Sequence, residues 1–308
     1  MKMKILPILG IVLSTAVIIT ACKKESSSTT TSTDSSVELS AQADDQSRVS
    51  TEIDAVANDA NTALSTVSNV NGGRLETVIC DATITADTTS DPKTVTITYN
   101  GTNCLGNRSR TGTVILSLPA NEHWKDAGAV LTVTAHNLKI TRLSDNKSIT
   151  INGTKTITNV SGGLLTQLAS QGTITHTINS SGITITFDDN TQRSWQIAEQ
   201  RVFTYNNGIV ISVTGTHTDG NNTGILEWGT NRSGHAFASS ILQPLVVRQD
   251  CDFRLVSGQM QHTVPTATAS VTFGLDKTGN PVSCPSGNYY MKLTWEFSSK
   301  TYTLILPY

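Results

Sequence analysis

From Leu75 onward, apolar side chains alternate with polar ones, and this alternation constrains the fold more than any other feature. The clearest runs are residues 94–99, 173–178 and 183–187. Because successive side chains of a β-strand point to opposite faces, such strands bury one face and expose the other, as antiparallel sheets do. Turn pairs such as Asn100-Gly101 recur between the runs. Residues 71–308 are therefore predicted to be a mainly β, antiparallel meander, folded as a large sandwich or a curled, partly closed barrel.

Residues 40–70 depart from this pattern. Their apolar side chains recur at steps of three and four residues, which is the spacing of one helix face. These side chains are Val49, Ile53, Val56, Ala60, Leu64 and Val67. Asp44 and Asp45 lie near the predicted N-terminus of the helix, where negative charge is favourable. We expect one amphipathic helix that lies against a face or an end of the sheet.

The first residues have the layout of an export signal. Two lysines precede an apolar run over residues 5–19, which is too short for a good membrane span. Residues 19–22 (Ile-Thr-Ala-Cys) resemble the bacterial lipobox, whose cysteine receives diacylglycerol before the signal is cut. The sequence therefore predicts a signal peptide over residues 1–21 and a lipidated Cys22. The alternative is an ordinary signal peptide followed by an incidental cysteine.

Residues 22–39 are predicted to be a flexible tether. Serine and threonine fill residues 26–36, with Asp34 as the one interruption, and such a stretch cannot bury apolar surface. Lys23 is not the aspartate that retains lipoproteins at an inner membrane, which favours the outer membrane. Residues 23–25 (Lys-Lys-Glu) resemble a surface-export tag, although the tag usually has more acidic residues. The expected location is a lipid anchor in the cell envelope, facing the cell surface or the periplasm.

Four cysteines remain after Cys22: Cys80, Cys104, Cys251 and Cys284. An even number in an exported chain points to disulfides, and four cysteines allow three pairings. Both ends of the domain repeat one layout, with a cysteine at the start of a strand and another in the loop after the returning strand. We predict Cys80–Cys104 and Cys251–Cys284, since each local pair is within reach in an antiparallel hairpin. A zinc site is disfavoured because no Cys-x-x-Cys spacing occurs.

The sequence contains no familiar catalytic signature. It has neither a Gly-x-Ser-x-Gly elbow nor a His-Glu-x-x-His zinc motif, and its histidines are scattered. His176 shares a strand face with Ile174 and Ile178, which favours a core histidine. We therefore assign no catalytic residue, metal or cofactor and expect a protein that is not an enzyme. The 22 basic and 24 acidic residues form no basic stripe, so nucleic acid is not an expected partner.

Three functions fit these features. The first is a non-enzymatic binding or structural module of the envelope, whose partners are the bilayer and an envelope component. The second is a glycan-binding accessory protein, for which Trp124, in a polar stretch, is the candidate stacking ring. The third is a hydrolase whose carboxylates meet only in the folded chain.

Several short motifs of this chain resemble segments of a family of all-β lipoproteins from Bacteroidota-type bacteria. They are residues 99–104, 108–113, 153–159, 229–232 and 244–246. The lipobox, the Ser/Thr tether, the short helix and the two Cys-bracketed hairpins also resemble that family. The resemblance implies an anchored all-β domain but no activity, so it transfers no functional residue.

Overall fold

The computed structural model describes selected positions between residues 45 and 63, then residues 73–75, 79–265, 267–284, 287–297 and 299–308. The predicted signal peptide (1–21), Cys22 and the tether (22–39) lie outside the described residues, as do Leu64 and Val67 of the predicted helix. Among the residues described, no helix is long and apolar enough to cross a membrane.

Sixteen antiparallel strands form one sheet. The first eight are β1 (Gly73–Leu75), β2 (Ala82–Asp87), β3 (Lys93–Thr102), β4 (Arg108–Leu118), β5 (Ala129–Arg142), β6 (Ser148–Asn159), β7 (Thr173–Phe187) and β8 (Gln192–Tyr205). The others are β9 (Ile209–Gly215), β10 (His217–Asp219), β11 (Asn222–Thr230), β12 (Ala236–Arg248), β13 (Arg254–Val264), β14 (Ala267–Leu275), β15 (Tyr290–Phe297) and β16 (Lys300–Pro307). The N-terminal helix, α1, has its described positions between 45 and 63, and α2 spans Leu168–Gln171. Two short 3-10 helices span Leu165–Gln167 and Gln249–Cys251.

Neighbouring strands pair along almost the whole chain, which confirms the predicted antiparallel meander. The order departs from the chain order at one place, where β8 and β12 each pair with both β9 and β11. Of the two predicted arrangements, a single curled sheet describes the molecule, because all strands belong to one sheet rather than two. Within the described residues, β1 pairs with β2 and β16 pairs with β15, and these two outer strands do not pair with each other.

A line of β-bulges crosses four neighbouring strands and bends the sheet. The register shifts lie at 111–113 in β4, 135–138 in β5, 152–155 in β6 and 180–183 in β7. Gly112 has φ +104°, and a Cβ there would lie 2.2 Å from the carbonyl oxygen of Asn137. Asn137 has φ 47°, and its backbone N–H donates to Asn152 Oδ1 at 2.7 Å. Since each bulge bends its strand and increases its twist, aligned bulges give the sheet a concave face.

The concave face holds α1. Val49, Ile53, Val56 and Ala60 are all buried in the core, so the predicted apolar face of the helix is confirmed at these positions. The helix side chains Ile53 and Val56 face strands β4 to β8. The cavity between them and these strands measures about 40 Å³. The helix therefore fills this part of the concave face as an ordinary core element.

Three acidic residues of α1 pair with arginines, and each lies seven positions after the one before it. Asp45 contacts Arg232, which follows β11, with one hydrogen bond of 2.7 Å. Glu52 lies 2.5 Å from Arg108 and Asp59 lies 2.7 Å from Arg110, both in β4. Because β4 and β11 are five strand positions apart in the sheet and both reach one helix, α1 lies across the strands between them.

The Arg110 pair belongs to a larger buried cluster. Its guanidinium donates to both carboxylate oxygens of Asp81 at 2.6 Å and lies 4.5 Å from the ring centre of Tyr99. The hydroxyl of Tyr99 donates to Asp59 at 2.9 Å. Every charge in this cluster therefore has an opposite charge or a hydrogen bond.

Both predicted disulfide pairings are confirmed. Cys80 pairs with Cys104, with a Cα–Cα distance of 5.2 Å, and Cys251 pairs with Cys284 at 5.0 Å. Asp250 lies beside the second pair, but its two cysteines are bonded to each other. The two bonds thus staple opposite ends of the sheet.

Candidate binding cavity

The concave face of β8 to β15, which we call the open half, encloses a cavity of about 720 Å³. Its apolar lining includes Ile197, Ile211, Val213, Leu226, Leu245, Met260 and Val271. Ile53 and Ala55 of α1 form one wall, and Leu105 before β4 lies at another. A mostly apolar space of several hundred cubic ångströms is typical of sites for small molecules.

Three polar side chains lie at directly opposed positions of neighbouring strands, and the first and third of them line this cavity. Glu227 of β11 is paired with Ser239 of β12, which is paired with His262 of β13. We call these three residues the polar row. None is more than 1% exposed. Since side chains at opposed positions share a face, the register alone brings the three groups into contact.

Hydrogen bonds join the polar row. The hydroxyl of Ser239 donates to Glu227 Oε1 at 2.7 Å and lies 2.8 Å from Nδ1 of His262. The indole N–H of Trp195, on β8, donates to Glu227 Oε2 at 2.6 Å. Both carboxylate oxygens of Glu227 are therefore acceptors in the protein.

This pattern assigns the proton on His262. Ser239 has one hydroxyl hydrogen, which it gives to Glu227, so its oxygen must accept the hydrogen of His262 Nδ1. Burial, and then the charge of Arg193, lower the pKa of His262 to about 3, which keeps the ring neutral. Nε2 consequently carries a lone pair and no hydrogen. It has no hydrogen-bond partner among the described residues.

The polar row contains the residue types of a nucleophilic triad but not its connections. In a triad the serine hydroxyl donates to the histidine, which takes the proton as a general base. Here the serine hydroxyl donates to the carboxylate instead. The geometry therefore describes a hydrogen-bonding surface rather than an activated serine.

Several charges around the cavity have partners. Arg193 is fully buried, with one nitrogen 3.9 Å from Glu227 Oε2 and its guanidinium 4.3 Å from the ring centre of Phe237. Arg201 pairs with Glu199 at 2.7 Å. Arg254 donates to two backbone carbonyl oxygens at 2.8 and 3.3 Å. Lys155 and Asp252 also line the cavity, so the lining carries charges of both signs.

Trp124, the ring expected to be exposed, is half-buried and packs against the core. Its nearest ring contact is edge-on to His176, with centroids 5.1 Å apart. The other tryptophans have different surroundings: Trp195 is buried in the cavity wall, Trp228 stacks on His217, and Trp295 stacks on Tyr302. No ring contact joins two tryptophans among the described residues, so the stacking role of Trp124 stays a prediction.

The sequence interpretation missed the polar row. His262 lies between Met260 and Val264 on one strand face, and Glu227 follows two apolar residues. A titratable residue within an apolar run was thus the available signal. Ser239 offered no comparable signal, because a serine within a strand is ordinary.

Fold alone does not define function, so the function must be argued from the cavity and its polar row. Of the residues predicted from sequence, the four disulfide cysteines and Trp124 all lie outside the cavity lining. Comparisons of this chain with models of protein families, with curated proteins and with solved structures find no significant match.

Proposed function

We propose that this protein is a lipid-anchored lipoprotein of the cell envelope whose β domain binds an apolar molecule without catalysing a reaction on it. The observation that carries the proposal is the cavity of about 720 Å³ in the open half. A well-packed core leaves few voids larger than a water molecule. The cavity between Val56 and strands β4 to β8 measures about 40 Å³, whereas the cavity in the open half is many times larger.

The N-terminal sequence supports the anchored location. Residues 1–21 have the layout of an export signal, Cys22 follows a lipobox-like stretch, and residues 22–39 form a polar tether. Acylation of Cys22, with palmitate among the chains, would hold the domain at a membrane. Lys23 favours the outer membrane, on its surface or periplasmic side. A binding module at that place would meet lipids and other apolar envelope molecules.

A blocking substitution tests the cavity. The probe is N-phenyl-1-naphthylamine, a neutral apolar dye, and the protein is the mature chain from residue 23, which lacks only the signal and the lipidated cysteine. Val213 faces the cavity from β9, whereas the neighbouring Ser212 faces the other side of the sheet. Val213→Trp should weaken dye binding by about tenfold or more, and Ser212→Trp should leave it unchanged. Equal binding by the two variants would contradict the proposal.

A second experiment tests the anchor. Cys22→Ala should release the protein from the membrane fraction, while Ser26→Ala, in the tether, should not. Continued membrane attachment of Cys22→Ala would contradict the lipid anchor. Protease treatment of intact cells, with a periplasmic protein as control, then distinguishes a surface location from a periplasmic one.

A further inference from the structure

His262 lines the cavity and carries a buried, unused hydrogen-bond acceptor. Several described side-chain atoms are buried without a hydrogen-bond partner, and Nε2 of His262 is the one on a residue that lines the cavity. A buried polar atom without a partner opposes folding, so such atoms are rare in packed interiors. The arrangement is explained if a ligand supplies the missing partner.

The hydrogen bonds of the polar row determine what that partner must be. Nδ1 of His262 holds the ring hydrogen and gives it to Ser239, which leaves a lone pair on Nε2. A carboxylate or phosphate ester oxygen could not bond to this lone pair, because it has no hydrogen to donate. A hydroxyl or an amide N–H could.

The charges near His262 argue against an ionic ligand. Glu227 already accepts hydrogen bonds from Trp195 and Ser239 and lies beside the guanidinium of Arg193. The positive charge of that guanidinium also disfavours a positively charged ligand beside His262. Of the lining arginines, Arg201 is paired with Glu199, so it does not offer a free charge to an anionic head group.

Apolar surface surrounds the acceptor. Met260 precedes His262 on the same strand face, and Val271 lines the cavity from the neighbouring β14. Leu226 and Ile197 line it from β11 and β8. A ligand that reaches Nε2 must therefore bury an apolar body around its donor group.

Building on the proposed function, we infer that the cavity binds a neutral alcohol with an apolar skeleton, such as a long-chain alcohol or a hydroxylated lipid, whose hydroxyl donates to Nε2 of His262. The hydroxyl lies at the buried end of the molecule, and the skeleton fills the open half. His262 is then the residue that determines specificity.

The test compares two ligands whose oxygen carries either a hydrogen or a methyl group. 1-Dodecanol and dodecyl methyl ether are titrated against N-phenyl-1-naphthylamine bound to the mature chain. The alcohol should displace the dye at about tenfold lower concentration than the ether, the effect of one hydrogen bond at a buried acceptor. Dodecanoate should displace it less well than the alcohol.

Three variants assign the preference to His262. His262→Phe should bind the alcohol and the ether equally. His262→Gln, whose amide can donate to Ser239 and present its oxygen to the cavity, should keep the preference. His176→Phe is the matched control, because His176 is a buried histidine outside the cavity lining, and it should also keep the preference.

The outcomes separate the two proposals. If the dye does not bind the unaltered protein, the proposed function fails and this inference fails with it. If the dye binds but alcohol and ether displace it equally, or dodecanoate displaces it best, the cavity function stands and the inference is wrong. Retention of the preference in His262→Phe would also overturn the inference.

Discussion

The two halves of the concave face are built from similar strands but are filled differently. In the helix-covered half, β2 to β7, α1 packs onto the sheet and leaves about 40 Å³ beside Ile53 and Val56. In the open half, β8 to β15, the described residues leave about 720 Å³. Among the described residues, one curled sheet therefore forms a packed core where α1 covers it and a large cavity over its other strands.

One buried polar cluster in each half shows a further difference, although Asn159 Oδ1, in β6 of the helix-covered half, is also a buried acceptor without a partner among the described residues. In the helix-covered half, Arg110 is fully engaged by Asp81 and Asp59. In the open half, the polar row ends at a histidine nitrogen without a partner. Satisfied polar groups join parts of the same chain, whereas an unsatisfied one facing a cavity points to a second molecule.

The largest expected effect comes from breaking the Arg110 cluster. Arg110→Met leaves the buried carboxylate of Asp81 without its bidentate partner, so we expect a loss of about 3–5 kcal/mol in the free energy of unfolding. Urea denaturation followed by circular dichroism measures this loss. Arg248→Met is the control, because the pair of Arg248 with Asp250 lies at the solvent-exposed surface and should contribute little to stability. Equal losses in the two variants would contradict the role given to the cluster.

Enlarging a valine in each half tests the difference in packing. Val114→Phe, beside α1, should overpack the helix-covered half and cost about 1–3 kcal/mol. Val213→Phe projects into the cavity, so it should cost less than about 1 kcal/mol or stabilise the protein. Thermal and urea unfolding of the two variants provide the comparison. A larger loss for Val213→Phe would show that the open half is packed as tightly as the other.

A third expected effect is in the pH dependence of stability. Burial, and then Arg201, lower the pKa of His176 to about 4, and burial and Arg193 lower that of His262 to about 3. In the unfolded chain both histidine side chains have the ordinary pKa of about 6.5. Below that pH the unfolded state binds protons that the folded state does not, so stability falls as the pH falls toward the folded pKa. Each histidine contributes up to about 1.4 kcal/mol per pH unit.

Replacing one histidine at a time isolates these contributions. His262→Phe and His176→Phe should each reduce the slope of unfolding free energy between about pH 4 and 6.5, and neither should change it above about pH 7. The carboxylates contribute to every protein in the series, so they cancel in the difference. An unchanged slope in either variant would mean that its histidine is already protonated in the folded state.

The period-two alternation predicted the strands, because one face of each is buried, and the helical spacing of Val49, Ile53 and Val56 predicted the face of α1. The cysteine layout predicted both disulfides. The polar row could not be predicted, since it depends on register. A register shift between Ile225 and Glu227 in β11 leaves Ile225, Leu226 and Glu227 all buried, against the alternation. A shift of one residue reverses the faces of a strand, and no local pattern reports it.

The pairing of Asp45 with Arg232 spans 187 residues of sequence. Because synthesis runs from the N-terminus, Asp45 is made long before the arginine with which it pairs. The contacts of α1 with Arg108 and Arg110 of β4 can form earlier, whereas this one can form only after β11 has been made. Long-range contacts of this kind slow the folding of a chain. The contact that holds the helix beside the open half is therefore the last of the three to become possible.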